Sequence, residues 1–292
     1  MYLFPVLGKM NIVDLTTIDL LNPLKEVESL GFHEVAFRLQ GRIVAIMRHA
    51  VQNQLIKNNP ALDLKGVITQ AAVTHFPSLS LEKLPALINN IENYACGRAL
   101  TRFALTLNLL LFIRSSELRL ARWNEIDLDN AVWTIPASQT PLPGVRFSHR
   151  GAKMKTPYLV PLSRQAIVIL KQVQKLSGHL ELVFPGDHDQ YKPMSETTIN
   201  KALQIMGYNT KTDICGHGFR AMACSALVES GLWSKDAVER QMSHQERNSV
   251  RAAYVHKAEH LEARTLMMQW WADYLDANRK PYITAYQFRN TL

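Results

Sequence analysis

The stretch from Asp213 to His256 limits what this chain can become more than any other. It opens D-I-C-G-H-G-F-R-A-M-A and closes R-Q-M-S-H-Q-E-R-N-S-V-R-A-A-Y-V-H. His217 and Arg220 lie three positions apart, so on a helix they face the same way. Met222, Ala226 and Leu227 follow with helical spacing, and Gly231 stands where a helix commonly stops. A second short helix is expected next, then His244, then Tyr254 ten positions on. Basic groups, the imidazoles of His217 and His244 and a phenol gathered this densely suit an anionic substrate and a nucleophile that attacks it.

Upstream, Arg98 to Ile113 predicts an apolar helix with Ala99, Phe103, Leu107, Leu110 and Leu111 on one side. It runs into I-R-S-S-E-L-R-L-A-R-W-N-E-I-D, where Arg114 and Glu117 are again three apart and the carboxylate can steady the guanidinium. An intrahelical salt bridge is the commoner meaning of such a pair. A-V-W-T-I at Ala131 to Ile135 and Y-L-V-P-L at Tyr158 to Leu162 read as two strands. The long loop between them is basic, with Arg146, His149, Arg150, Lys153 and Lys155.

These boxes in this order resemble the tyrosine recombinases, the phage-integrase family: R-x-x-E-L with R-W-x-E-I-D, then H-x-x-R, then H, then Y. The last box, A-A-Y-V-H-K-A-E-H-L-E-A-R with its tryptophan-rich tail, is most similar to integrases of prophages and genomic islands. The resemblance covers essentially the whole chain, and its motifs are specific from about Ile113 onward. It implies a catalytic set of Arg114, Lys153, His217, Arg220, His244 and the nucleophile Tyr254, with Glu117 in support. Lys153 stands seven positions before Val160, the spacing associated with the family, and Lys155 competes with it for the same role. The implied activity is site-specific cutting and rejoining of DNA through a 3′-phosphotyrosyl intermediate, for integration or excision of a mobile element. The rival readings are an impaired remnant that only binds DNA, and relaxation of supercoils without strand exchange.

The implied fold is mainly α (α+β): a helical core-binding clamp over 1–75, then a catalytic domain over 76–292 with a small antiparallel sheet and a C-terminal helix. The implied partners are double-stranded DNA at attachment sites and further copies of the chain in a tetrameric synapse, with a host DNA-bending protein and an excision factor as additional candidates. No cofactor and no metal are expected. Because the match begins at Leu3, in F-P-V-L-G-K, an arm-binding domain and the first helix of the clamp are expected to be missing.

Composition agrees with a polyanionic partner but does not single one out. Lys plus Arg number 33 against 25 Asp plus Glu, a formal charge of +8. Cys96, Cys215 and Cys224 form no C-x-x-C pair, which suggests free thiols in a reducing compartment. Zinc lacks its usual ligand spacings, and Gly216 with Gly218 is not a phosphate loop, because no G-x-x-x-x-G-K occurs. The opening has no basic n-region, and the apolar run from Leu107 to Ile113 is too short to cross a bilayer. The expected place is the cytoplasm, at the nucleoid.

The remaining segments read as helices. Asp14 to Leu30 forms one, with Thr17 as cap and Gly31 as stop; His33 to Lys57 forms another, with Val35, Leu39, Ile43, Ile46, Met47 and Ala50 inward. Arg38 and Arg42 lie on another side of it and are candidate phosphate contacts, as are Arg150 and Lys155. Val67 to Ser80 lacks a period and marks the boundary. Further helices are expected with Pro85 in the first turn, from Ser163 to Gly178, from Ser195 to Gly207, and over His260 to Asn278, a tail that the resemblance implies can pack on a neighbouring copy.

Overall fold

Thr16 caps the first long helix, one residue before the expected Thr17. The computed structural model describes residues 2–69, 75–152, 155–243 and 260–291. The chain divides into two compact units, Met1–His75 and Phe76–Leu292.

In the first unit a short helix α1 (Phe4–Leu7) precedes α2 (Thr17–Ser29) and α3 (His33–Gln52). Thr16 accepts from the Asp19 backbone, and the Asp19 carboxylate accepts in return from the Thr16 backbone, a reciprocal cap that Asp at the third helical position makes possible. Thr17 instead donates its hydroxyl to the Pro60 carbonyl at 2.7 Å. Helix α3 stops at Gln52, short of the expected Lys57. There the Asn53 amide bonds the His49 carbonyl at 2.9 Å, and Gln54 turns to a φ of 58°. Leu20, Leu24, Ile43 and Met47 form the core between α2 and α3. Ile46 is exposed: it sits one helical step from Met47, and the core lies on the Met47 side.

The second unit is built on α5 (Ala99–Leu111), which packs against α4 (Leu84–Glu92) and several later helices. Its second half is buried on every side, including Leu105, Leu107 and Asn108, so the expected one-sided stripe is too narrow. Phe103 is only partly buried. The short α6 (Ser115–Arg119) leads to a three-stranded antiparallel sheet in the order β1 (Ile126–Asp127), β2 (Val132–Ile135), β3 (Tyr158–Pro161). Trp133 pairs with Val160, and Ile135 with Tyr158. The two expected strands are therefore joined by a third at the I-D of the arginine box.

Ser163 caps α7 (Arg164–Ser177) as expected, accepting from the Ala166 backbone. α8 (Thr198–Ile205) starts after Thr197, and Ser195 accepts from the Thr197 backbone one turn earlier. α9 (Gly218–Ser230) ends at Gly231, whose φ of 64° costs glycine nothing sterically. α10 (Lys235–Gln241) is capped by Ser234. α11 (Leu261–Ala277) and a further α12 (Ala285–Arg289) close the chain. Within the chain Trp270 stacks on Tyr274 at 5.2 Å, and Trp271 donates to the Leu109 carbonyl of α5 at 3.0 Å. No helix among the described residues is long and apolar enough to cross a membrane.

Candidate active site

The turn after α10 is where the second unit gathers its charge. A helix leaves its last carbonyls without intrahelical donors, and cations are favoured at that end. Here three successive carbonyls find donors from three different elements. Tyr158 of β3 donates its hydroxyl to Gln241, Arg220 of α9 donates Nη2 to Met242, and Arg114 donates Nη2 to Ser243 at 2.8 Å. Ser243 itself takes a φ of 49°, which ends the helix.

Arg114 stands at the N-cap of α6, and Glu117, at the third position, holds it twice. Glu117 accepts from Arg114 Nη1 at 2.8 Å and from the Arg114 backbone at 3.0 Å. The pair is largely out of water, with side-chain exposures of 15% and 4%, so it is not an ordinary solvated surface bridge. Arg220 lies deeper, 2% exposed, and donates Nη1 to the Phe112 carbonyl at 2.7 Å. Phe112 closes α5 at a φ of 37°, a conformation rare for a bulky residue, and its carbonyl meets Arg220 there. Burial first, and then the positive charge of Arg114, hold the Arg220 guanidinium below its ordinary pKa. Arg220 Nε, Gln241 Nε2 and Ser243 Oγ are buried with no hydrogen-bond partner among the described residues. Two guanidiniums this close concentrate positive charge of a kind that suits an anion.

His217 stands at the N-cap position of α9 and is exposed, with the Phe76 ring against its imidazole at 4.5 Å between centroids. It thus shares a helix turn with Arg220 while sitting nearer solvent. The flanking glycines serve close approach. A Cβ at Gly218 would lie 2.3 Å from the Pro77 carbonyl, and one at Gly216 would lie 2.8 Å from the Ile199 side chain. Gly216 is pinned by Asn108, which donates to its carbonyl, and by Asn200, which accepts from its N–H.

The other candidates are less concentrated. Arg150 is exposed and lies 3.9 Å from the centre of the Phe147 ring, with Arg146 on the same ring at 5.4 Å. Lys155 is exposed at a φ of 56°. Arg38 and Arg42 are exposed on α3, Arg38 paired to Glu34 at 2.7 Å. Lys153, His244 and Tyr254 lie outside the described residues. Among the described residues no three His, Cys, Asp or Glu side chains gather as a metal site. Sequence reading passed over Tyr158 and Gln241 as members of the site, since neither belongs to a charged motif.

Residues 77–260 match the phage integrase family, and residues 1–67 match the phage integrase central domain. The chain belongs to that family. It is 59% identical over 98% of its length to IntB of Escherichia coli (strain K12), and 55% identical over its whole length to the integrase of Enterobacteria phage P4. It spans 72% and 66% of those two proteins. Among solved structures, a lambda integrase dimer bound to a COC′ core site has a TM-score of 0.60 over 86% of this chain and 82% of that one. At 16% identity that likeness speaks to the fold alone.

Proposed function

We propose that this chain cuts and rejoins DNA at specific sites through a covalent 3′-phosphotyrosyl intermediate, as part of integrating or excising a mobile element. The observation that carries the reading is the guanidinium pair. Arg114 and Arg220 converge on the successive carbonyls of Ser243 and Met242, at the residues directly before His244.

Two forked guanidiniums can meet the non-bridging oxygens of one phosphate and the charge that builds on them. Tyr254 attacks the phosphorus, the bond from phosphorus to the 5′ oxygen breaks, and the chain becomes esterified to the 3′ phosphate. His217 takes the phenolic proton, Lys153 gives a proton to the departing 5′ oxygen, and His244 donates a hydrogen bond to the phosphate. Attack by a 5′ hydroxyl reverses every step, so rejoining draws on the phosphotyrosyl bond. Arg38, Arg42, Arg150 and Lys155 are proposed to hold DNA phosphates, with residues 1–75 acting as a clamp. The proposed substrate is double-stranded attachment-site DNA in a synapse of four copies, and a host DNA-bending protein and an excision factor are proposed helpers.

The test is a nicked suicide duplex of a core site, incubated in EDTA and separated under denaturing conditions. An adduct on the 3′ phosphate is expected, since the scheme draws its charge neutralisation from side chains. Tight binding with no adduct would favour the binding-only remnant, and relaxation of plasmid without any need for paired sites would favour the supercoil-relaxing reading.

A further inference from the structure

We infer that Arg264, on α11, is a positioning residue for the Arg114–Arg220 pair and acts through the turn Gln241–Ser243. The assignment rests on the cleavage reading above, and it concerns the last residue of the box that opens at Ala252, which has no place in the catalytic set.

Arg264 is fully buried, as few arginines are. Its Nε donates to the Gln241 side-chain oxygen at 2.9 Å, its Nη2 donates to the Leu159 carbonyl of β3, and its guanidinium lies 5.4 Å from the centre of the Tyr158 ring. Tyr158 is buried as well, and burial pushes its phenol up to about 12, so it remains a donor to the Gln241 carbonyl at ordinary pH. Gln241 is thus held twice, by its side chain from α11 and by its carbonyl from β3. The next two carbonyls are the ones that take Arg220 and Arg114. Any rotation of this turn moves both acceptors at once, and the two guanidiniums with them. Arg264 touches neither guanidinium among the contacts described, so it sets their aim from behind the turn.

A buried cation is expensive unless its partners compensate it, and an apolar side chain of similar size would fill the space at less cost. What the apolar replacement cannot supply is the directional bond to Gln241. Displacing reacting groups by about an ångström can slow a reaction on the order of a hundredfold while leaving substrate binding intact.

The experiment measures single-turnover adduct formation at saturating suicide substrate for the wild type, Arg264→Met, Arg264→Lys and Tyr158→Phe, with DNA affinity and thermal unfolding in parallel. Arg264→Met is expected to form adduct roughly 10- to 100-fold more slowly at nearly unchanged affinity. Arg264→Lys should recover part of the rate. Tyr158→Phe removes one hydroxyl from the same turn and should also slow the step, which keeps the test open if Arg264→Met folds poorly. The decisive arm replaces the scissile phosphate with a neutral methylphosphonate. Without the anion to neutralise, guanidinium aim matters little, so the defects of Arg264→Met and Tyr158→Phe should shrink towards the wild-type rate. Equal losses on both substrates would mean a merely structural role and overturn the assignment, as would undiminished rates on ordinary DNA. A wild type that forms no adduct on ordinary DNA would remove the proposed function and this assignment with it.

Discussion

Glu117 is the residue whose removal isolates one guanidinium. It accepts from both the side chain and the backbone of Arg114, and it is only 7% exposed. Glu117→Gln keeps one acceptor but sets an N–H₂ against the Arg114 fork, so Arg114 should swing from its carbonyl at Ser243. Single-turnover cleavage is expected to fall roughly 10- to 100-fold, with DNA affinity little changed. A gel-shift titration beside the rate measurement checks both halves. The two lysines of the β2–β3 loop separate by their chemistry. If Lys153 protonates the departing 5′ oxygen, Lys153→Ala should lose about a hundredfold or more on ordinary DNA. It should recover on a duplex with sulfur at the bridging 5′ position, since a thiolate, with a pKa of about 8.5, leaves without a proton. Lys155→Ala should keep most of its rate on both duplexes. Recovery by Lys155→Ala instead would exchange the two assignments.

Elements carry these side chains, and their stability can be perturbed away from the chemistry. Ser163 caps α7, is buried, and accepts from the Ala166 backbone at 3.3 Å. Ser163→Ala should cost about 1 kcal/mol in urea unfolding and leave adduct formation by the folded protein unchanged. The same elements show what was legible in the sequence. Arg114 and Glu117 meet because Arg114 stands at the N-cap of α6 and Glu117 at its third position, a spacing the sequence shows, and Gly231 ends α9 because its position demands a positive φ. The third strand was missed because a two-residue strand carries almost no pattern, and the cap of α2 because adjacent threonines look alike until Asp19 chooses one. The tryptophans of α11 read as packing, but only the fold shows that Trp271 bonds the backbone of α5. The turn after α10 was illegible for a different reason. Its donors Tyr158 and Arg114 come from positions 83 and 129 residues away, and no local period records such a meeting.

At the scale of the whole molecule, charge makes a prediction of its own. The excess of eight positive charges favours DNA generally, and individual arginines should differ in what they add. Arg38 already shares its charge with Glu34, whereas Arg42 on the same helix has no such pair among the described residues. Arg42→Ala should therefore lower the slope of log affinity against log salt by about 0.9, and Arg38→Ala by less. Fluorescence anisotropy over a salt series reads this directly. Equal slopes for the wild type and Arg42→Ala would take Arg42 off the DNA.

The central claim is that the charge gathered behind Met242 and Ser243 serves a phosphoryl transfer to Tyr254. Its most direct measurement is digestion of the denatured adduct from a suicide duplex, with the DNA-bearing peptide identified by mass spectrometry, for the wild type and for Tyr254→Phe. The expected result is one modified peptide carrying the 3′ phosphate on Tyr254, and no adduct from Tyr254→Phe although it binds the duplex with wild-type affinity. A phosphate found on another residue, or an undiminished adduct from Tyr254→Phe, would contradict the account.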